Sequence, residues 1–170
     1  LSKGKGCKMS HIGQVINAMI AYYAGDVRRI NHFLKVYGFA KAIGEMEGLD
    51  ESTQEIIEIA ALTHDIGIKN SEKKYNSSAG NYQQIEGPPE AKKLLAELGI
   101  ESGVIDRVCW LIAHHHTYTD IQGIDYQILV EADFLVNFYE DDMSIDSVHS
   151  AGGKMFKTLS GKAILNAIYS

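Results

Sequence analysis

The chain has 170 residues, enough for one domain with a sizeable core, and its 45% hydrophobic and 22% charged residues are an ordinary soluble balance. A formal net charge of −6 speaks against general nucleic-acid binding, and no apolar run reaches the ~18 residues of a membrane helix. Two cysteines, Cys7 and Cys109, make neither a Cys-x-x-Cys pair nor a disulfide framework, which fits a reducing, cytoplasmic setting.

Leu1 to Lys8 carry three Lys and two Gly without an apolar stretch, so they do not read as a signal peptide. Residues 1–9 are expected to be flexible, and Met9 stands as an alternative start. From Ser10, a reasonable N-cap, Ile12, Val15, Ile16, Met19, Ile20 and Tyr23 repeat at helical spacing. Gly25 stops that helix, and Asp26 caps a second one running to about Met46. There His32, Val36, Phe39, Ala40 and Ile43 share one face, so His32 lies on an apolar stripe with Arg28 one turn before it.

Ser52-x-x-Glu55 reads as a capping box for a third helix, whose apolar run Ile56, Ile57, Ile59, Ala60, Ala61, Leu62 ends on His64-Asp65. An imidazole and a carboxylate buried there without partners would cost about 1–3 kcal/mol or more. A divalent cation held by a neutral His and an ionised Asp would compensate. The simpler alternative is an Asp closing a helix end beside a His bonded to backbone. Gly67 turns the chain, and the polar stretch Lys69 to Gln84 reads as a long loop.

Gly87-Pro88-Pro89 is expected to open a helix with Ala91, Leu94, Leu95 and Leu98 inward, ended by Gly99. Ser102 then caps a helix carrying Val104, Ile105, Val108, Leu111 and Ile112 into His114-His115-His116. Asp125 starts another helix, to about Glu140, in which Asp133 is surrounded by Leu129, Val130 and Val136; a carboxylate there needs a partner, for which a salt bridge would suffice. Two helices, about 144–157 and 160–169, finish the chain, and His149 reads as a surface or satisfied histidine. No repeat or strand pattern is present in the sequence, so the fold class is all-α, a single compact helical bundle over residues 1–170.

His32, His64, Asp65 and Asp133 thus form a set of core-facing polar groups from separate helices. Two imidazoles and two carboxylates suit Mn, Fe, Co, Ni, Zn or Mg, and four ligands on an octahedral ion leave positions open, as catalytic sites do. The order of these residues, with Leu62-Thr63-His64-Asp65-Ile66-Gly67 and Glu131-Ala132-Asp133, resembles the HD-domain family of metal-dependent phosphohydrolases over roughly residues 26–140. The resemblance implies that His32, His64, Asp65 and Asp133 are metal ligands. It places His114 and His115 where two-metal members carry further histidines, with Glu86 standing in for a missing one. Thr117-Tyr118-Thr119-Asp120 replaces the Gly-Tyr-Pro of the cyclic-dinucleotide branch, and Ile68-Lys69-Asn70 replaces the acidic pair of the guanosine-tetraphosphate branch.

The activity that this resemblance implies is hydrolysis of a small phosphate ester, such as a nucleotide. Asp65, Lys69 and His115 are the expected catalytic residues, and Arg28, Lys69, His114 and His115 are expected to bind substrate. His114 and His115 are expected to line the cleft while His116 points away, because consecutive helical residues diverge by about 100°. One tightly bound metal is favoured over two. The alternatives are a non-catalytic metal- or nucleotide-binding sensor and a di-iron oxygenase of the same fold. Association into a homo-oligomer is left open.

Overall fold

A computed structural model describes residues 11–170, so the expectations for residues 1–9 and for the Ser10 cap lie outside it. Among the described residues there are nine helices and no strand, as the all-α reading requires. They are α1 (His11–Tyr22), α2 (Val27–Glu47), α3 (Glu51–Thr63), α4 (Ile68–Tyr75), α5 (Gly80–Glu97), α6 (Ser102–His114), α7 (Ile124–Glu140), α8 (Ile145–Met155) and α9 (Leu159–Ile168). None of them is long and apolar enough to cross a membrane.

Helix α3 is the centre of the bundle. Ile57, Ile59, Ala60, Ala61 and Leu62 are fully buried, because α1, α2, α6 and α7 pack around it. A side chain the size of Leu62 contributes roughly 1.5–3 kcal/mol on such burial, and this anchors the end of α3, where the His-Asp pair sits. Its N-cap is Asp50 rather than Ser52: one Asp50 oxygen accepts from the Thr53 N–H and the other from the Thr53 hydroxyl. Asp is as good a cap as Ser, so spacing to Glu55 was a weak guide. Asp26 caps α2 through the Arg29 N–H, and Gly48, at φ +73°, closes that helix.

The stretch expected as a loop is partly helical. Helix α4 has only Ile68 and Ser71 buried and carries Lys73 and Lys74 in its last turn, so it lies on the surface with no apolar stripe to betray it. Helix α5 starts seven residues before Gly87 and runs through Pro88 and Pro89. The prolines remove two backbone donors from its interior, so the carbonyls of Gln84 and Ile85 lose their helical partners. Close packing holds this segment. A Cβ on Gly67 would lie 2.7 Å from the Gln83 carbonyl oxygen and the Gly87 nitrogen, and one on Gly87 would lie 2.5 Å from Ile112 Cγ2. The turn after His64-Asp65 therefore presses directly on α5, and α5 on α6. Glu101, not Ser102, caps α6, and α7 begins at Ile124 after Gly123, with Asp125 engaged by Arg107 at 2.7 and 2.8 Å.

The C-terminal helices are tied to α7 by Glu131, which is fully buried. Its Oε1 accepts from Gln127 Nε2 and from the backbone N–H groups of Lys157 and Thr158 at the start of α9, and its Oε2 accepts from the Thr158 hydroxyl. His149 is exposed on α8.

Candidate metal centre

His32 is presented by α2, His64 by the end of α3, Asp65 by the following turn and Asp133 by α7. The turn is fixed from several sides. Thr63 returns its hydroxyl to the Ile59 carbonyl, Tyr23 donates to the Asp65 carbonyl at 2.8 Å, and Tyr22 donates to that of Ile66 at 3.3 Å. The four side chains converge. His32 Nε2 lies 3.3 Å from His64 Nε2, 3.4 Å from Asp65 Oδ2 and 3.3 Å from Asp133 Oδ1; His64 Nε2 lies 3.5 and 3.6 Å from the same two oxygens.

The outer ring nitrogens settle what these atoms offer. His64 Nδ1 points at the Ala61 carbonyl at 2.8 Å, so it must carry the hydrogen, and Nε2 of the neutral ring is a bare lone pair. His32 Nδ1 faces Glu140 at 3.1 Å and His115 Nδ1 the Ile112 carbonyl at 2.7 Å, with the same consequence. Apart from the Asn137 amide, which donates to Asp133 Oδ1 at 3.0 Å, nothing among the described residues donates to these lone pairs and carboxylate oxygens, and a cation would satisfy the set. Cis donors around an octahedral ion at ~2.1 Å are about 3 Å apart, close to the separations here. His115 Nε2 is buried without a hydrogen-bond partner among the described residues and lies 3.6 Å from Asp65 Oδ1, the oxygen turned away from the first group. Anchored imidazoles and an orphaned nitrogen fit a metal site with an outer shell of orienting partners.

Without a metal, protons take the cation's place. Burial disfavours the charged His64 ring, yet the Asp65 charge and the Asp133 hydrogen bond outweigh it and push His64 up to about 9. Burial likewise opposes ionisation of Asp65 and Asp133, but the facing imidazoles hold both carboxyls well below the usual range. His32 is raised on balance, its burial outweighed mainly by Asp133.

Asp65, His115 and His116 form a second group of potential ligands. Gln83 donates to the Ser78 carbonyl at 2.7 Å, so its Oε1 accepts from His116 Nε2 at 3.2 Å and leaves Nδ1 of that ring free. Burial, helped by the neighbouring His115 ring, lowers His116 to about 4. The histidine triplet therefore corrects the expected orientation. His114 stacks on Trp110 with ring centroids 4.1 Å apart and bonds the Trp110 carbonyl, while His116 joins His115 beside Asp65. The helix ends at His114, and the turn beyond it swings His116 inward.

Two further expectations are displaced. Glu86 is occupied by Lys74 at 2.5 Å and Tyr75 at 3.0 Å, which α4 brings over it, and it belongs to neither ligand group. Lys69 donates to the Tyr22 carbonyl at 3.1 Å and lies over the Tyr22 ring, on the α1 side of the turn rather than in the cleft wall.

A cleft of about 360 Å³ opens above the cluster, lined by Asp26, Arg28, Arg29, His32, Asp65, Ile68, Ser78, Gln83, Asn137 and Glu140. Arg29 is paired with Asp26 and Glu72. Arg28, expected to bind substrate, is in the wall, and among the described residues no carboxylate pairs with it. Reading by sequence missed Glu140, Asn137, Gln83 and His116. Asn137 and Glu140 had a detectable signal, because they lie one and two helical turns, respectively, beyond Asp133 on its own face.

The family model for the HD domain matches residues 29–148. A solved structure of a predicted HD superfamily hydrolase from an uncultured Thermotogales bacterium is similar in fold, with a TM-score of 0.68 and 21% identity, covering 94% of this chain and 85% of that one. No curated protein matches the chain. The match over most of the chain and the mutual approach of its four motif residues lead to a single assignment: this chain belongs to the HD-domain family.

Proposed function

We propose that the protein is a metal-dependent phosphohydrolase acting on a small phosphate monoester. The observation that carries this reading is an acceptor-only cluster, His32, His64, Asp65 and Asp133, on the floor of a polar cleft whose wall holds the Arg28 guanidinium, which no carboxylate pairs among the described residues. A divalent cation bound there supplies a Lewis acid and acidifies water. The residues do the rest. Arg28 offers a planar fork that matches two oxygens of a phosphate. Asn137, Gln83 and Ser78 offer polar groups to hydroxyls of the substrate. His115, with its free Nε2 beside Asp65, is placed to accept a proton or a phosphate contact. The group of Asp65, His115 and His116 favours, as a second reading, a weaker second ion at the same place.

The test is a panel of phosphorylated metabolites, sugar phosphates and nucleoside monophosphates among them, with added Mn, Co, Ni, Mg or Zn. Turnover lost with a chelator, restored by metal and absent from Asp65→Ala supports the proposal. Tight metal binding without turnover of any ester would replace it with the sensor reading. Oxygen uptake by an iron-loaded protein would replace it with the oxygenase reading, which has lost Glu86 as a ligand.

A further inference from the structure

Glu140 is the last residue of α7, where the helix dipole disfavours a negative charge and rewards a positive one. Its side chain is nonetheless only 13% exposed. It turns back over the bundle and faces two groups of α2: Oε2 lies 3.1 Å from His32 Nδ1, and Oε1 lies 2.6 Å from Lys35 Nζ. Lys35 comes three residues after His32, so both stand on the same side of α2. Glu140 comes seven after Asp133, so the carboxylate that meets His32 on one side and the carboxylate that meets it on the other come from one face of α7. His32 is thus gripped at both nitrogens by a single helix.

We propose that Glu140 is a positioning residue for the metal centre: it holds His32 in the Nδ1–H form, aims Nε2 at the cluster and strengthens it as a ligand, while Lys35 holds Glu140 in place. This rests on the metal reading above. His64 and His115 give their Nδ1 hydrogens to neutral carbonyls, whereas His32 gives its own to a carboxylate. A carboxylate partner fixes the tautomer and raises the basicity of an imidazole, so Glu140 makes His32 a stronger ligand than it would be beside a carbonyl.

The probe is Co²⁺ alone, bound to the full chain and followed by calorimetry and by its visible absorption. Loss of such an outer partner costs about 10- to 100-fold in metal affinity, and Glu140→Ala is expected in that range. Glu140→Gln keeps an acceptor for Nδ1–H but loses the charge, so its affinity is expected between those of Glu140→Ala and the wild type. In wild-type protein, nitrogen-resolved NMR is expected to show the His32 proton on Nδ1. Circular dichroism separates loss of fold from loss of affinity, and should Glu140→Ala fail to fold, the glutamine variant and the wild-type tautomer decide. Affinity unchanged in both variants, or a His32 proton on Nε2 in the metal-bound protein, overturns the inference. A rise in KM with Co²⁺ affinity unchanged would also overturn it and make Glu140 a substrate contact. Wild-type protein that binds no Co²⁺ would instead fail the metal reading itself.

Discussion

If protons occupy the cluster in the metal-free protein, metal binding must expel them, and the two forms must respond to pH in opposite ways. His64 shifts from 6.5 to about 9. That rise is worth roughly 3 kcal/mol of native-state stability while His64 is charged. The group binds its proton more tightly when folded, so this contribution is full below pH 6.5 and disappears as pH climbs through about 9. His32, also raised, acts in the same direction. His116 does not enter this window, because at about 4 it is neutral above pH 6.5 in both the folded and the unfolded chain. Asp65 and Asp133 are lowered, so their contribution fades only in acid, below the ordinary carboxylate range. Metal-free protein should therefore melt roughly 6–12 °C lower at pH 9 than at pH 6.5, taking about 2–4 °C per kcal/mol for a chain of this size. Metal-loaded protein should show no such fall, because the cation replaces the proton. At pH 7 to 8, binding should release about one proton and tighten nearly tenfold per pH unit. Thermal melts with and without chelator, and calorimetry in buffers of different ionisation enthalpy, measure both. Equal pH dependence of the two forms, or binding without proton release, would refute the acceptor-only account of the cluster.

His115→Ala should abolish turnover while the protein retains one tightly bound metal per chain after dialysis; a wild-type count of two that falls to one would make His115 a ligand. Arg28→Ala should raise KM at least ~10-fold with metal content unchanged, the loss of one charge-assisted phosphate contact, and unchanged steady-state kinetics would return Arg28 to the solvent. Gly67→Ala places a methyl 2.7 Å from the Gln83 carbonyl and should cost about 1–3 kcal/mol by urea unfolding, as other overpacked sites do.

The four clustered residues were legible because each broke a rule that its surroundings obeyed. His32 and Asp133 stand on apolar helical faces, and His64-Asp65 end the most buried helix of the chain. Such violations show in sequence order. Where a side chain turns at a helix end does not: whether His114 or His116 joins His115 depends on the turn after α6 and on Trp110, which stacks with the ring that sequence spacing favoured. Helix α4 was hidden for another reason, since a surface helix held by Ile68 and Ser71 has no stripe to count. The prolines misled because close contact among Gly67, Gly87 and Ile112 overrides their local preference for a helix start. Glu140 and Arg28 illustrate the remaining gap. Both are charged residues near the cluster, yet only the packing of α2 against α7 shows that Glu140 meets His32, while among the described residues no carboxylate pairs with Arg28.

The buried carboxylate of Glu131 has a consequence for where this domain can be cut. The stretch matched by the family model stops at residue 148, yet Glu131, two residues before Asp133, is answered by donors at Lys157 and Thr158. A fragment ending at 148 would strip those donors away, together with Phe156 and Tyr169, which pack against Phe138 of the same helix. The last helices are therefore part of the folding unit that holds Asp133, and the amides of α7 and α9 should exchange with solvent through one shared opening rather than two.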